Sequence, residues 1–199
     1  APGGCDLGKR SLGAHIDALA RLGIQITGNE EAHTYSVESS KLQPAEIVMY
    51  EASDTGTENV LMAAAKVPGK TVIKYASANY MVQELCHFLS LLGVEFDGLG
   101  TTQLIIHGNP NLSGDIEYCL GEDPIESMLF LAIGSVTNSA LTIKRCPIDF
   151  LELELLKLDK MGLKFKLSPK YKSRNERTNL VDIQIFPSKL RACPPRYTF

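Results

Sequence analysis

Three copies of a short pattern, spaced by about seventy residues, constrain the fold of this chain more than any other feature. Each copy ends a run of helical periodicity with a large apolar residue followed by glycine, at Gly23, Gly93 and Gly162. Glycine directly after such a run is a common helix C-cap, because it adopts a left-handed backbone conformation without strain. Spacings of 70 and 69 residues indicate duplicated structural units, and such units bury their apolar faces only against one another.

The segments around these glycines repeat in the same order. Helical periodicity and apolar alternation predict helices over residues 12–22, 58–66, 80–92, 125–134 and 150–161. They predict strands over residues 34–38, 46–50, 71–75, 103–107, 115–120, 140–145, 164–167 and 180–186. Residues 59–66 and 127–134 are apolar almost all round, as in buried helices. The sequence therefore predicts an α/β fold of about three βαβαββ units, with helices inside and sheets outside.

Composition excludes several classes of function. The net charge of −3, with no long block of lysine and arginine, argues against a nucleic-acid partner. No apolar run is long enough to cross a bilayer, so no membrane partner is expected. The five cysteines form no C-x-x-C pair, so no metal site is expected, and a reducing cytoplasm is the favoured compartment. Cys86, Cys119 and Cys146 lie in apolar segments and are predicted to be core residues.

The candidate chemistry begins in a glycine-rich loop at the start of the sequence. Cys5 follows Pro2-Gly3-Gly4, and the positive charges of Lys9 and Arg10 favour its thiolate. Taken alone, Cys5 is better interpreted as an unreactive free thiol, and Arg10 is equally consistent with an ordinary surface residue. His15 lies on the apolar face of the predicted helix, which is typical of a half-buried core histidine.

These residues together carry a resemblance to a known family. The pattern Pro-Gly-Gly-Cys-x-x-Gly-x-Arg, with a histidine five residues later, resembles the active-site loop of the UDP-N-acetylglucosamine 1-carboxyvinyltransferases. Further matches are Gly56-Thr57-Glu58-Asn59 with Met62-Ala63-Ala64-Ala65, Gly98-x-Gly100-Thr101 before Ile105-Ile106-His107-Gly108, and Ile125-Glu126. The resemblance covers nearly the whole chain. It implies the inside-out α/β barrel of the enolpyruvyl transferases, built from two lobes of three βαβαββ units.

The resemblance also implies a reaction and its substrates. The family transfers an enolpyruvyl group from phosphoenolpyruvate to the 3'-hydroxyl of UDP-N-acetylglucosamine and releases phosphate, the first committed step of peptidoglycan synthesis. Cys5 would be the general acid and the target of fosfomycin. Arg10 and His15 would bind substrate, as would the loop before the second helix and an acid before the fourth: Ser53, Asp54, Thr55 and Asp123. No metal and no organic cofactor is implied.

Several positions depart from the family pattern. Glu51 stands where a lysine is expected, Asn79-Tyr80-Met81 replaces Glu-Pro-Glu, and Cys119 and Pro124 each replace an arginine. The family's Lys-Asn pair would precede Ala1, and its catalytic aspartate would follow Phe199. We therefore expect residues 1–121 to form the latter part of the first lobe and residues 122–199 the first unit of the second. The missing remainder of the two-lobed enzyme would be its partner.

Two alternatives remain open on the sequence. A 3-phosphoshikimate 1-carboxyvinyltransferase-like enzyme has the same architecture, but that family lacks the loop cysteine. A diverged, non-catalytic member that binds a nucleotide sugar would fit the altered positions, including Glu51 and Cys119. In either case the isolated chain is expected to have little or no turnover.

Overall fold

The computed structural model describes residues 12–29, 34–39 and 41–192. The chain divides into two compact units, Ala1–Glu117 and Tyr118–Phe199. Each unit has its own hydrophobic core.

The first unit opens with a helix and a hairpin. Helix α1 (Gly13–Arg21) is followed by the antiparallel strands β1 (Ile24–Asn29) and β2 (Thr34–Ser39). The central part then runs in the order β3 (Glu46–Val48), α2 (Asp54–Ala64), β4 (Gly69–Lys74), α3 (Tyr80–Leu91), β5 (Glu95–Asp97) and β6 (Gln103–Gly108). This order is the predicted βαβαββ unit in full.

The sheet of the first unit has the order β3-β4-β6-β5. Strands β3 and β4 are parallel, whereas β6 is antiparallel to both β4 and β5. Alternation along the strands places Ile73, Leu104 and Ile106 in one core with buried residues of the helices, including Val60 and Leu61. The helices therefore cover one face of this sheet.

The second unit repeats this order without its first strand. It contains α4 (Pro124–Val136), β7 (Leu141–Pro147), a 3-10 turn (Ile148–Phe150), α5 (Glu152–Lys160), β8 (Lys164–Leu167), β9 (Tyr171–Lys172) and β10 (Asn179–Phe186). Its sheet has the order β7-β10-β8, with β9 paired to one end of β10. All these pairings are antiparallel.

The three repeated glycines behave as the spacing predicts. Gly23, Gly93 and Gly162 have φ values of +93°, +86° and +96°, each directly after a helix end. At the latter two sites the following residue also donates a hydrogen bond back into the helix, from the Val94 amide to the Leu89 carbonyl and from Leu163 to Leu158. This is the Schellman arrangement, in which the glycine lets the chain reverse into a strand.

Several sequence predictions need correction. Residues 115–120 form no strand, and the side chain of Leu120 is 77% exposed. Apolar alternation alone does not make a strand, because a strand also needs a neighbour to pair with, and no described strand pairs with this segment. Strands β1 and β5, which directly follow the glycine caps, were not predicted. Cys86 and Cys146 are buried as predicted, but Cys119 is only partly buried and so is not a core residue.

Helix α4, whose apolar pattern is typical of a buried helix, is covered on only one side by its own unit. Helix α4 buries Leu131 and Gly134 against the sheet, but a second apolar face is exposed. That face consists of Ile125, Leu129, Phe130, Ile133 and Val136. A single sheet covers only one side of a helix, so apolar residues all round do not ensure burial in one unit.

Candidate active site

Two helices of the first unit begin at the same edge of its sheet. Helix α2 follows β3 and helix α3 follows β4, and the two strands run parallel. Both helix N-termini therefore lie beyond the carboxyl ends of these strands, where α/β proteins commonly bind ligands. Ser53 caps α2 by accepting a hydrogen bond from the Gly56 amide at 3.1 Å, and Asn79 caps α3 through the Tyr80 amide.

Asp54 joins the two helix starts. Its Oδ1 accepts a short hydrogen bond from the Ser77 hydroxyl, and its Oδ2 accepts one from the Asn79 amide group at 2.8 Å. The Ser77 backbone amide in turn donates to Thr57 Oγ1 at 3.1 Å. Both carboxylate oxygens of Asp54 therefore accept hydrogen bonds from other residues of the protein. Asp54 thus has a structural role, because it connects the starts of α2 and α3.

His15 meets helix α2 further along its length. The ring atom Nδ1 lies 2.9 Å from Nδ2 of Asn59, and the contact is partly buried. His15 is on the same face of α1 as the buried Ala18 and Leu22, because these residues follow it at helical spacing. The half-buried position predicted for His15 is confirmed, and its polar partner is a residue 44 positions away in the sequence.

Glu58 is the carboxyl group most perturbed at this edge. Partial burial raises its pKa, and the nearby negative charge of Asp54 raises it further. Glu58 and Asp54 lie four residues apart on α2, so their side chains share one face of the helix. A new anion placed here would meet an edge that already carries negative charge.

A cavity of about 390 Å³ lies between the start of α1 and the segment after β3. Gly13, Ala14 and Asp17 line it from α1, and Tyr50 and Glu51 line it from the other side. Glu51 therefore faces this cavity where the resemblance leads one to expect a lysine. The acidic lining from Asp17 and Glu51 disfavours an anion at this place.

In the second unit, Asp123 is the N-cap of α4. Its Oδ1 accepts a hydrogen bond from the Ile125 amide at 2.7 Å. A cavity of about 430 Å³ adjoins it between α4 and β7, lined by acidic, basic and apolar side chains: Glu122, Asp123, Glu126, Ser127, Phe130, Leu141, Thr142, Ile143, Lys144 and Arg145. Glu122 pairs with Arg145 across this cavity. Asp123 thus lies at the edge of a recess lined by both charged and apolar side chains.

The structure brings together some of the predicted site residues. His15, Ser53, Asp54 and Thr55 are all in the first unit, and Ser53 Oγ lies 3.5 Å from Thr55 Oγ1. Asp123 belongs to the second unit. Cys5 and Arg10 fall outside the described residues.

Sequence reasoning missed the polar partners of these residues. Asn59 belongs to the Gly56-Thr57-Glu58-Asn59 motif, but the motif does not indicate that it contacts His15. Ser77 lies in a loop and carries no motif. Asn79 was noted only as a departure from the family pattern, yet it holds Asp54.

Within residues 12–29, 34–39 and 41–192, no group of histidine, cysteine and acidic side chains is arranged to bind a metal ion. Across the same ranges, no helix has the length and apolar character needed to cross a bilayer. Neither observation extends to the remaining residues.

Comparison with known proteins identifies the family. The sequence matches the family EPSP synthase (3-phosphoshikimate 1-carboxyvinyltransferase) over residues 1–194. The chain belongs to the enolpyruvyl transferase family. A UDP-N-acetylglucosamine 1-carboxyvinyltransferase of Campylobacter lari is 32% identical over 197 residues, 97% of this chain and 46% of that protein. The enzyme of the same name from Helicobacter hepaticus is 37% identical over 172 residues, 84% of this chain and 40% of that protein.

Solved structures support the same fold. The enolpyruvyl transferase NikO from Streptomyces tendae aligns with a TM-score of 0.71 at 19% identity, covering 91% of this chain and 43% of that one. EPSP synthase from Acinetobacter baumannii aligns with a TM-score of 0.70 at 20% identity, covering 96% and 43%. The repeated α/β units are therefore those of the enolpyruvyl transferase fold. The chain spans less than half the length of these relatives.

Proposed function

We propose that this chain is part of an enzyme that transfers the enolpyruvyl group of phosphoenolpyruvate to the 3'-hydroxyl of UDP-N-acetylglucosamine, releasing phosphate. The observation that carries the proposal is the Cys5–Arg10–His15 motif. It occurs in a chain that is 32% identical, over 97% of its length, to a UDP-N-acetylglucosamine 1-carboxyvinyltransferase. The loop cysteine favours this substrate over 3-phosphoshikimate. The reaction would serve peptidoglycan synthesis in the cytoplasm, where phosphoenolpyruvate is made.

We assign the chemistry to three residues of the first unit. Cys5 delivers the proton to the methylene carbon of phosphoenolpyruvate, and its thiol must keep that proton until the addition step. Arg10 binds the phosphate or carboxylate through its planar guanidinium group. His15 lies within the α1–α2 contact and binds an anionic oxygen of the substrate.

We assign the nucleotide-sugar side to the helix starts. The backbone amides at the N-terminus of α2, beside Ser53 and Thr55, suit an oxygen-rich ligand. Asp54 holds these amides in place through Ser77 and Asn79. In the second unit, Asp123 is the substrate-binding candidate, beside the recess between α4 and β7.

The two units would belong to the two lobes of a larger enzyme. The Campylobacter lari relative is matched over only 46% of its length, and the second unit alone leaves one face of α4 exposed. The remainder of the enzyme would supply the base that activates the sugar hydroxyl. We therefore expect the 199-residue chain by itself to release phosphate at no measurable rate above background, in a coupled assay with both substrates.

Alkylation of Cys5 tests the assignment directly. The complete enzyme is treated with fosfomycin in the presence of UDP-N-acetylglucosamine, and the modified peptide is identified by mass spectrometry. We expect one adduct on Cys5, none in the Cys5→Ser variant, and no adduct on the partly buried Cys119. An unmodified Cys5 under these conditions would remove the general acid from the proposal.

A non-catalytic member that binds a nucleotide sugar is the second candidate. The acidic side chain of Glu51 at the α1 cavity, where the family pattern has a lysine, favours it. Calorimetry with UDP-N-acetylglucosamine and a phosphate-release assay, both on the complete protein, separate the enzyme from the non-catalytic member. Binding of UDP-N-acetylglucosamine without phosphate release would support the non-catalytic function, whereas phosphate release with both substrates would support the enzyme.

A further inference from the structure

The contact between His15 and Asn59 indicates which of the two side chains donates the hydrogen bond. Nδ2 of Asn59 lies 2.9 Å from Nδ1 of His15, within hydrogen-bonding range. An amide nitrogen carries two hydrogens and donates only, so the ring atom that faces it must accept. Nδ1 of His15 therefore presents its lone pair to Asn59 and carries no proton.

The neutral imidazole ring has one hydrogen to place on its two nitrogens. With Nδ1 acting as acceptor, that hydrogen is on Nε2. The opposite orientation of the amide would put Oδ1 of Asn59 against Nδ1 and would require the opposite tautomer. The orientation of one amide group thus determines which ring nitrogen of His15 is a donor.

Helix α2 holds Asn59 in a fixed place. Its neighbours Val60 and Leu61 are fully buried, and the first turn is tied down by Ser53. Thr57 is anchored twice, through its hydroxyl to the Ser53 carbonyl at 2.8 Å and to the Ser77 amide. A side chain on so constrained a helix can orient a ring on the neighbouring helix α1.

We propose that Asn59 is a positioning residue that fixes His15 as the Nε2–H tautomer, so that His15 offers a neutral N–H donor to an anionic oxygen of the substrate. His15 then cannot be the base of the reaction, since Nε2 carries a proton and Nδ1 is occupied by Asn59. This inference rests on the proposed function for the identity of the anion, but the tautomer itself does not.

The tautomer is measured directly by long-range ¹H–¹⁵N correlation spectra of the histidine-labelled 199-residue chain, at about pH 8 where free imidazole is neutral. We expect Nδ1 of His15 to be unprotonated and Nε2 protonated. In Asn59→Leu the ring loses its donor, and a mixture of tautomers is expected. In Asn59→Asp the carboxylate accepts a hydrogen bond, so the proton moves to Nδ1. A proton on Nδ1 in the unaltered protein, or the same tautomer in all three proteins, would overturn the proposal.

His107 is the internal control for folding. It lies in the same unit and its Nε2 contacts Asp97 at 2.9 Å, far from α2 in the sequence. Its signals should be unchanged in both variants if the first unit is folded. A variant with altered His107 signals is set aside, and the unaltered protein still decides the tautomer.

Kinetics of the complete enzyme separate this inference from the proposed function. Asn59→Leu should raise KM for the anionic substrate that His15 binds about tenfold, the effect of one lost hydrogen bond to a charged group, with a smaller change in kcat. An Nε2–H tautomer in an enzyme without phosphoenolpyruvate turnover would refute the function and leave the positioning role of Asn59 intact. Normal turnover with KM unchanged in Asn59→Leu would leave the proposed function intact and would refute only the role of Asn59 in substrate binding.

Discussion

At the scale of single residues, several polar side chains of this protein hydrogen-bond to one another and so fix each other's positions. Asp54 ties Ser77 and Asn79 together, and Asn59 orients His15. In the second unit Asp182 has the same kind of role. Its Oδ1 accepts hydrogen bonds from the Tyr171 hydroxyl at 2.6 Å and from the Arg145 amide at 3.0 Å. Arg145 has a φ of +61°, so this contact stabilises an unusual backbone conformation beside the recess near Asp123.

Asp182 makes stability depend on pH in a defined direction. The hydrogen bond from Tyr171, followed by the one from the Arg145 amide, lowers the pKa of Asp182 in the folded protein. A carboxyl group with a lowered folded pKa stabilises the protein above its unfolded pKa, and this contribution is lost as pH falls through the folded pKa. We therefore expect Asp182→Asn to lower the free energy of unfolding at pH about 7 and to have little effect near pH 2.

Urea unfolding of the chain at both pH values measures this difference in the free energy of unfolding. Asp149, which contacts Asn179 and Lys170 on the same unit, provides a matched substitution to Asn. An Asp182→Asn penalty of equal size at both pH values would show that the carboxylate charge is not the cause.

At the scale of elements, close approach of backbone segments decides where glycine is required. A Cβ added to Gly108, at the end of β6, would lie 2.0 Å from the Val67 carbonyl oxygen and 2.6 Å from that of Ala64. Both are backbone atoms, one at the end of α2 and one in the turn after it, so they cannot rotate away as a side chain can. Gly134 of α4 is also tightly packed, but its nearest neighbour is the terminal Cδ1 of Ile185, at 2.3 Å.

These two glycines give a matched pair of substitutions. We expect Gly108→Ala to destabilise the first unit by about 1–3 kcal/mol or more, because backbone must move. Gly134→Ala should cost less, because the Ile185 side chain can change rotamer and alanine favours the helix by about 1 kcal/mol. Thermal unfolding followed by circular dichroism compares the two. A larger loss in Gly134→Ala would contradict the packing argument.

At the scale of the whole molecule, the described residues form two separate hydrophobic cores. Leu61 is fully buried in the first core, and Ile183 is fully buried in the second. Each of the two compact units thus has a core of its own. The exposed apolar face of α4 shows that the second unit does not by itself cover all its apolar surface.

Separate cores predict separate responses to substitution. Leu61→Ala should destabilise the first unit by about 2–5 kcal/mol, the usual cost of truncating a buried leucine. Amide hydrogen exchange should then quicken in β4 and β6 while protection in β10 is retained. Ile183→Ala should give the reverse pattern. Loss of protection in both units from either substitution would show that they fold as one cooperative body.

Much of the fold could be predicted because its signals are local. The glycine caps at 23, 93 and 162, the strand bounds of β8 and the start of α3 at Tyr80 follow from neighbouring residues. The strand predicted at residues 115–120 failed for the opposite reason. Its alternation is local, but a strand also requires a neighbouring strand to pair with, and no described strand pairs with residues 115–120.

The sequence by itself determined the repeated unit, the glycine-capped helix ends, the family and the identity of the candidate residues. Only the tertiary structure decided which side chains meet. The Asp54–Ser77 contact joins residues 23 positions apart, and the His15–Asn59 contact joins residues 44 positions apart. The physical reason is that caps and periodicity depend on a few adjacent backbone torsions. The tautomer of His15 and the engagement of Asp54 depend on how α1, α2 and α3 pack.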